Sequence, residues 1–113
     1  MAEHYHDPSD REYGKRLAQN SPEAFKQLFG GSESALHGSD TDIPEKYAEL
    51  MALAVALTTQ CVYCIEAHVG AAKKAGATEK EVSDTVMIAA SLRAGGAMAH
   101  GMMALKMYDN DGK

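Results

Sequence analysis

Tyr47-Ala48-Glu49-Leu50-Met51-Ala52-Leu53-Ala54-Val55-Ala56-Leu57 is the stretch that decides the fold. Its apolar residues do not keep to one face at three-and-four spacing; they go all the way round. A helix of that kind sits at the centre, covered on every side by its own fold or by other subunits. Ile43-Pro44-Glu45 opens it, with proline in the first turn. Thr58-Thr59 breaks it and offers a cap for the next helix. Glu49 is its one charge past the first turn. A carboxylate there is costly to bury alone, so either it lies on the helix surface or it has a partner.

Working downstream, Cys61-Val62-Tyr63-Cys64-Ile65-Glu66-Ala67-His68 begins a segment that reads as helix until Gly76. Thr78-Glu79-Lys80-Glu81 is a capping box for the last helix. Val82, Val86, Met87, Ala89, Ala90 and Leu92 continue it at helical spacing. Gly95-Gly96 is a place to kink or split it, after which Met98, Met102 and Leu105 lead to Tyr108. Upstream, residues 8–17 read as a weak helix, and Ser21-Pro22-Glu23 starts another with a capping hydroxyl and proline at its first position. Gly30-Gly31 is expected to stop that helix, and 30–42 to be a linker. No stretch alternates with the period of a strand, and there are no repeats. The expected fold is all-α: an N-terminal helical extension and linker over 1–42, a helical core over 43–108, and a tail over 109–113, with the first seven residues frayed.

The totals narrow the function. A chain of 113 residues makes one domain. A formal charge of −5 with no basic run argues against a nucleic-acid partner, whose phosphates need clustered Lys and Arg. No apolar run approaches the ~20 residues of a membrane span, and the polar, partly acidic N-terminus does not resemble a secretory signal. The expected location is the cytoplasm. Both cysteines lie three apart, where a bridge closes too small a loop to staple a fold. That spacing points to redox catalysis or metal binding.

On a helix, Cys61, Cys64 and His68 share one stripe. Thiols one turn apart come within disulfide range, and a base lies one turn further on. A thiol reacts as thiolate, and three features here lower its pKa. Cys61 should sit in the first turn, where free N–H groups and the macrodipole favour negative charge. His68 lies a turn beyond Cys64. Glu49 precedes the Thr58-Thr59 turn by about as many residues as His68 follows it, so an antiparallel hairpin, at about 1.5 Å rise per residue, brings the two level. A carboxylate beside an imidazole fixes its tautomer and raises its basicity.

Glu49, eleven intervening residues, then Cys61-x-x-Cys64-x-x-x-His68 resembles the signature of the alkylhydroperoxidase D-like branch of the carboxymuconolactone decarboxylase family. Ala71-Ala72-Lys73-Lys74-Ala75-Gly76-Ala77-Thr78 and the Gly-rich last helix are similar to it too, so the likeness covers roughly 43–105. The resemblance implies an all-α subunit assembled into a closed homo-oligomer (dimer, trimer or hexamer) that reduces peroxide through the cysteine pair. It implies Glu49, Cys61, Cys64 and His68 as relay and redox residues. It also implies no resident cofactor, and an external dithiol, lipoyl-bearing or thioredoxin-like, as reductant. The best-known members carry a further histidine between the cysteines, where this chain has Tyr63. Members with decarboxylase activity generally lack the pair.

The expected chemistry is attack by the Cys64 thiolate on the peroxide, giving a sulfenic acid that Cys61 resolves to a disulfide, which the dithiol then reduces. The reverse order, with Cys61 attacking, stays open. So do two inert buried thiols and a zinc set of Cys61, Cys64, His68 and Glu49, although C-x-x-C on one helix constrains metal geometry badly. Haem attachment needs histidine directly after the second cysteine, where Ile65 stands. Tyr63 and His100 are candidate pocket residues, with ordinary packing as the alternative for each. The methionines read as core and subunit packing. His4, His6 and His37 show no partner in the sequence. A non-catalytic or redox-sensing oligomeric module is the alternative function.

Overall fold

The computed structural model describes residues 7–110 of the chain. A short 3₁₀ turn, Pro8–Asp10, leads into α1 (Arg11–Asn20), α2 (Pro22–His37), α3 (Glu45–Thr59), α4 (Val62–Lys74) and α5 (Glu79–Asp109). No strand occurs among the described residues. The frayed start expected for 1–7 and the end of the expected tail fall largely outside them.

α3 is the central helix, as its composition requires. It packs against both α4 and α5, and α2 reaches it from the N-terminal side, with α1 laid on α2. Ala48, Leu50, Leu53 and Ala56 of α3 are buried, joined by Ala72 of α4 and Ala89 of α5. Small side chains predominate, which lets the helix axes approach closely. One stripe of α3 stays uncovered within the subunit: Tyr47, Met51 and Val55, four residues apart, are all exposed.

The α3–α4 hairpin turns at Gln60, which adopts a left-handed conformation (φ 59°). The Cys61 N–H then donates to the Ala56 carbonyl at 3.1 Å, closing the end of α3. α3 therefore takes in Thr58 and Thr59, and neither caps α4. Cys61 itself is the N-cap: its sulfur accepts from the Cys64 N–H at 3.2 Å. It lies one position ahead of the first turn in which the sequence placed it.

At the other end of α4, Gly76 takes φ 99°. Its N–H bonds the Lys73 carbonyl, and the Ala77 N–H bonds that of Ala72. This paired closure needs a residue at ease with positive φ. The capping box at the start of α5 forms as expected, with Glu81 N–H to Thr78 Oγ1 at 3.1 Å and Thr78 N–H to Glu81 Oε1 at 2.9 Å.

Two glycine pairs do not act as stops. α2 runs through Gly30-Gly31 to His37, and α5 runs unbroken through Gly95-Gly96 for 31 residues. A helical glycine costs only about 1 kcal/mol relative to alanine, which later contacts offset. In α2 those contacts are made by its last turn, through Leu36 and His37. The helix ends instead at Gly38, where a Cβ would run into the Ser34 carbonyl oxygen. The expected linker thus shrinks to 38–44. Ser21 makes no side-chain capping bond, so Pro22 at the first position is the start signal that holds.

Candidate functional site

Glu49 is 1% exposed. Both of its carboxylate oxygens are taken. Oε1 accepts from His68 Nδ1 at 2.6 Å, and Oε2 accepts from His37 Nε2 at 2.5 Å. The hairpin brings Glu49 and His68 level, as the residue arithmetic requires. An ionised carboxylate only accepts, so His68 carries its proton on Nδ1 and keeps Nε2 as the basic nitrogen.

His37 is the member that sequence reading missed. Its ring also bonds Glu33 Oε1 through Nδ1 at 2.8 Å, and Glu45 lies 3.9 Å from Nε2. With a carboxylate at each nitrogen, the ring donates on both sides and is held as the imidazolium. Its pKa is accordingly raised above the usual value of 6.5, chiefly by the hydrogen bond to Glu33 and then by that to Glu49. The residue was hidden because Gly30-Gly31 and the polar run after it read as linker. The one local cue is the Glu33–His37 pair, four residues apart, which only means something on a helix.

Cys61 and Cys64 are joined as a disulfide, with Cα atoms 5.2 Å apart. Cys64 and His68 line a cavity of about 950 Å³ between α4 and the N-terminal helices. Its other walls are largely apolar, from Tyr13, Leu17, Phe29, Tyr63 and Ala67, with Arg11 and Arg16 also present. Cys61 is not among the lining residues. Tyr63 donates from its hydroxyl to Asp10 Oδ2 at 2.7 Å, and Arg11 pairs with Glu66 at 2.6 Å. These two contacts hang the start of α1 on the first turns of α4. The carboxylate acceptor raises the Tyr63 pKa above its usual range.

Tyr63 therefore does line the cavity. His100 does not: it is exposed on the second half of α5 and is not among the lining residues. The N-terminal residues, from which the sequence offered nothing specific, supply one wall of the cavity and one arm of the carboxylate bridge. Arg93 of α5 donates to the Thr58 carbonyl, steadying the turn that presents Cys61. Among the described residues, no three His, Cys, Asp or Glu side chains are arranged to hold a metal ion. No helix among them is long and apolar enough to cross a membrane.

The chain is 41% identical over 71 residues to "Uncharacterized protein 4 in cox locus" of Paracoccus denitrificans, covering 63% of this chain and 64% of that protein's length. Residues 22–107 match the model of the carboxymuconolactone decarboxylase family. That span begins with α2 and so takes in His37 as well as the hairpin. On this match and the all-helical architecture, the chain belongs to the carboxymuconolactone decarboxylase family.

Proposed function

We propose that the protein is a thiol-dependent peroxidase and disulfide oxidoreductase that reduces hydroperoxides through Cys61 and Cys64. The observation that carries this reading is a buried carboxylate, Glu49, hydrogen-bonded to His68 on the helix that bears Cys64 and is capped by Cys61, beside a cavity onto which Cys64 opens.

In the reduced protein, His68 Nε2 takes the Cys64 proton, and the imidazolium is stabilised by Glu49 through Nδ1–H. The Cys64 thiolate attacks the terminal peroxide oxygen. An S–O bond forms, the O–O bond breaks, and the leaving alkoxide takes the proton from His68. Cys64 is now a sulfenic acid. The Cys61 sulfur attacks it, the S–S bond forms, and hydroxide leaves as water with the Cys61 proton. An external dithiol attacks the bridge at the cavity-facing Cys64, so that Cys61 leaves as thiolate. The Cys64 N–H that Cys61 already accepts favours that charge. Two thiols of the reductant become its disulfide, and the pair is restored. On this reading a small peroxide and an extended dithiol, such as a lipoyl arm or an exposed thioredoxin-like cysteine pair, reach Cys64 through the cavity. No resident cofactor enters this cycle, and the cytoplasm supplies dithiols to sustain it.

The subunit is read as part of a homo-oligomer. Its radius of gyration is 18.7 Å, against about 13 Å for a compact chain of this length. Ile88, Leu92, Met98, Met102 and Leu105 stand exposed along α5, a patch that a second copy would cover.

The test is peroxide consumption driven by a dithiol, comparing the native protein with Cys64→Ser. Turnover in the native protein and its loss in the variant are expected. Equal consumption by both would leave the redox-sensing or binding module as the better reading.

A further inference from the structure

Five groups form one line across the molecule. Glu33, with its side chain 73% exposed, bonds His37; His37, 30% exposed, bonds Glu49; Glu49, 1% exposed, bonds His68; and His68 shares the cavity with Cys64. Charges alternate along it when both histidines are protonated. The line runs from solvent beside α2, through the buried centre of α3, to the thiol site on α4.

We infer that His37 is a positioning residue of this site, acting through Glu49: it holds the buried carboxylate ionised and aimed, and its own protonation state sets how strongly Glu49 supports a proton on His68. The proposal rests on the peroxidase reading for its purpose, and on the two-sided carboxylate bridge for its physics.

A carboxylate this deeply buried needs donors at both oxygens to stay ionised. His68 supplies one, and His37 the other. A cation at His37 also competes with His68 for the same carboxylate. While His37 is charged, a second positive charge on His68 is disfavoured across the shared Glu49. When His37 loses its proton, Glu49 becomes the stronger partner for His68, and the imidazolium that stabilises the Cys64 thiolate is favoured. The two imidazoles are therefore linked through one carboxylate. The groups facing His37 are Glu33 on its own helix and Glu45 and Glu49 on α3. Those around His68 are Glu49 on α3 and, sharing its cavity, Cys64 and Tyr63 on α4 and Asp10, Arg11, Tyr13 and Arg16 from the N-terminal side.

The readout is the imidazole NMR titration of the oxidised full chain, which involves neither peroxide nor free thiol. In the native protein, the His68 resonances should show a second inflection at the pH where His37 titrates. His37→Gln keeps an amide donor for Glu49 but removes the charge. In that variant the second inflection should vanish, and the His68 midpoint should move upward, because the positive charge across the shared carboxylate is gone. Glu33→Gln, at an exposed position that tolerates substitution, should lower the His37 pKa and carry the second inflection down with it. An unchanged or lowered His68 titration in His37→Gln, or a His68 curve indifferent to Glu33→Gln, would overturn the inference. A merely structural histidine would change stability and leave these curves alone. Peroxide turnover measured in parallel separates the two claims, because loss of the peroxidase reading would not remove the coupling, nor the reverse.

Discussion

Glu49 and His68 stand 19 residues apart in the chain and 2.6 Å apart in space, with the carboxylate almost wholly buried. Two helices and a single left-handed residue between them produce that contact. Its chemical consequence is a fixed tautomer. Glu49→Gln presents an amide to two imidazole N–H groups, and only its carbonyl oxygen accepts. One ring must flip or lose its bond, and His68 loses the negative charge that supports its imidazolium. Peroxide turnover should fall by about 10²-fold or more, the range usual for a lost acid–base arrangement, while the helical circular dichroism stays unchanged. Retention of turnover within a few-fold would remove the relay.

The thiols should report the same environment. In reduced Cys61→Ser protein, alkylation of Cys64 against pH should give a midpoint below the ordinary ~8.5 of a free cysteine. Adding Glu49→Gln should move that midpoint up. An ordinary midpoint in the single variant would mean that His68 does not support the Cys64 thiolate.

The hairpin, the capping box and the central helix were legible because each depends on local chemistry or on counting. Apolar residues all round 47–57, a threonine three before a glutamate, and equal spacing about a turn survive without tertiary information. His37 was not legible, because the carboxylate that gives it a role, Glu49, lies on another helix. Its own helix persists only where Leu36 and His37 find α3, and this outweighs the weak propensity of Gly30-Gly31. Gln60 is illegible for the opposite reason: nothing in glutamine announces positive φ, and the pull of the two helices holds it there. His100 is exposed in the single subunit and absent from the cavity wall, so of its readings the interface one is left, and that depends on a second copy over α5.

That exposed surface makes its own prediction. If α5 packs against a second copy, the native protein should sediment as an assembly at micromolar concentration. Leu92→Glu, placed at a side chain 69% exposed in the subunit, should shift it toward monomer without unfolding it. A monomeric native protein would mean that the apolar stripes have another occupant.

Glu81 links acid sensitivity to the start of α5. Its carboxylate accepts from the Thr78 N–H and pairs with Lys46 at 2.9 Å, which lowers its pKa, the backbone bond contributing most. A group with a depressed folded pKa stabilises the fold above its unfolded value, here near 4.5, and loses that contribution as pH falls through the folded value. Urea midpoints should therefore drop below pH 4.5, and drop less in Glu81→Gln. Thr78→Ala, which removes the reciprocal cap, should cost about 1 kcal/mol at neutral pH. A Glu81→Gln protein with the full acid dependence of the native chain would locate the sensitivity elsewhere.

Tyr63 occupies the inner position of the cysteine motif, and its hydroxyl donates to Asp10. The other tie between α1 and α4, Arg11 to Glu66, joins two side chains that are each about half exposed, and exposed ion pairs hold little. The phenol is a second clasp on the cavity wall that Tyr13 and Leu17 help to form. Tyr63→Phe keeps the ring and removes the clasp, so amide hydrogens of α1 should exchange faster while those of α3 do not change. A bulky apolar hydroperoxide, which needs that wall, should show a KM raised several-fold. Hydrogen peroxide, too small to touch it, should be reduced as before. Equal effects on both substrates would place the hydroxyl in the chemistry at Cys64 rather than in the shape of the cavity.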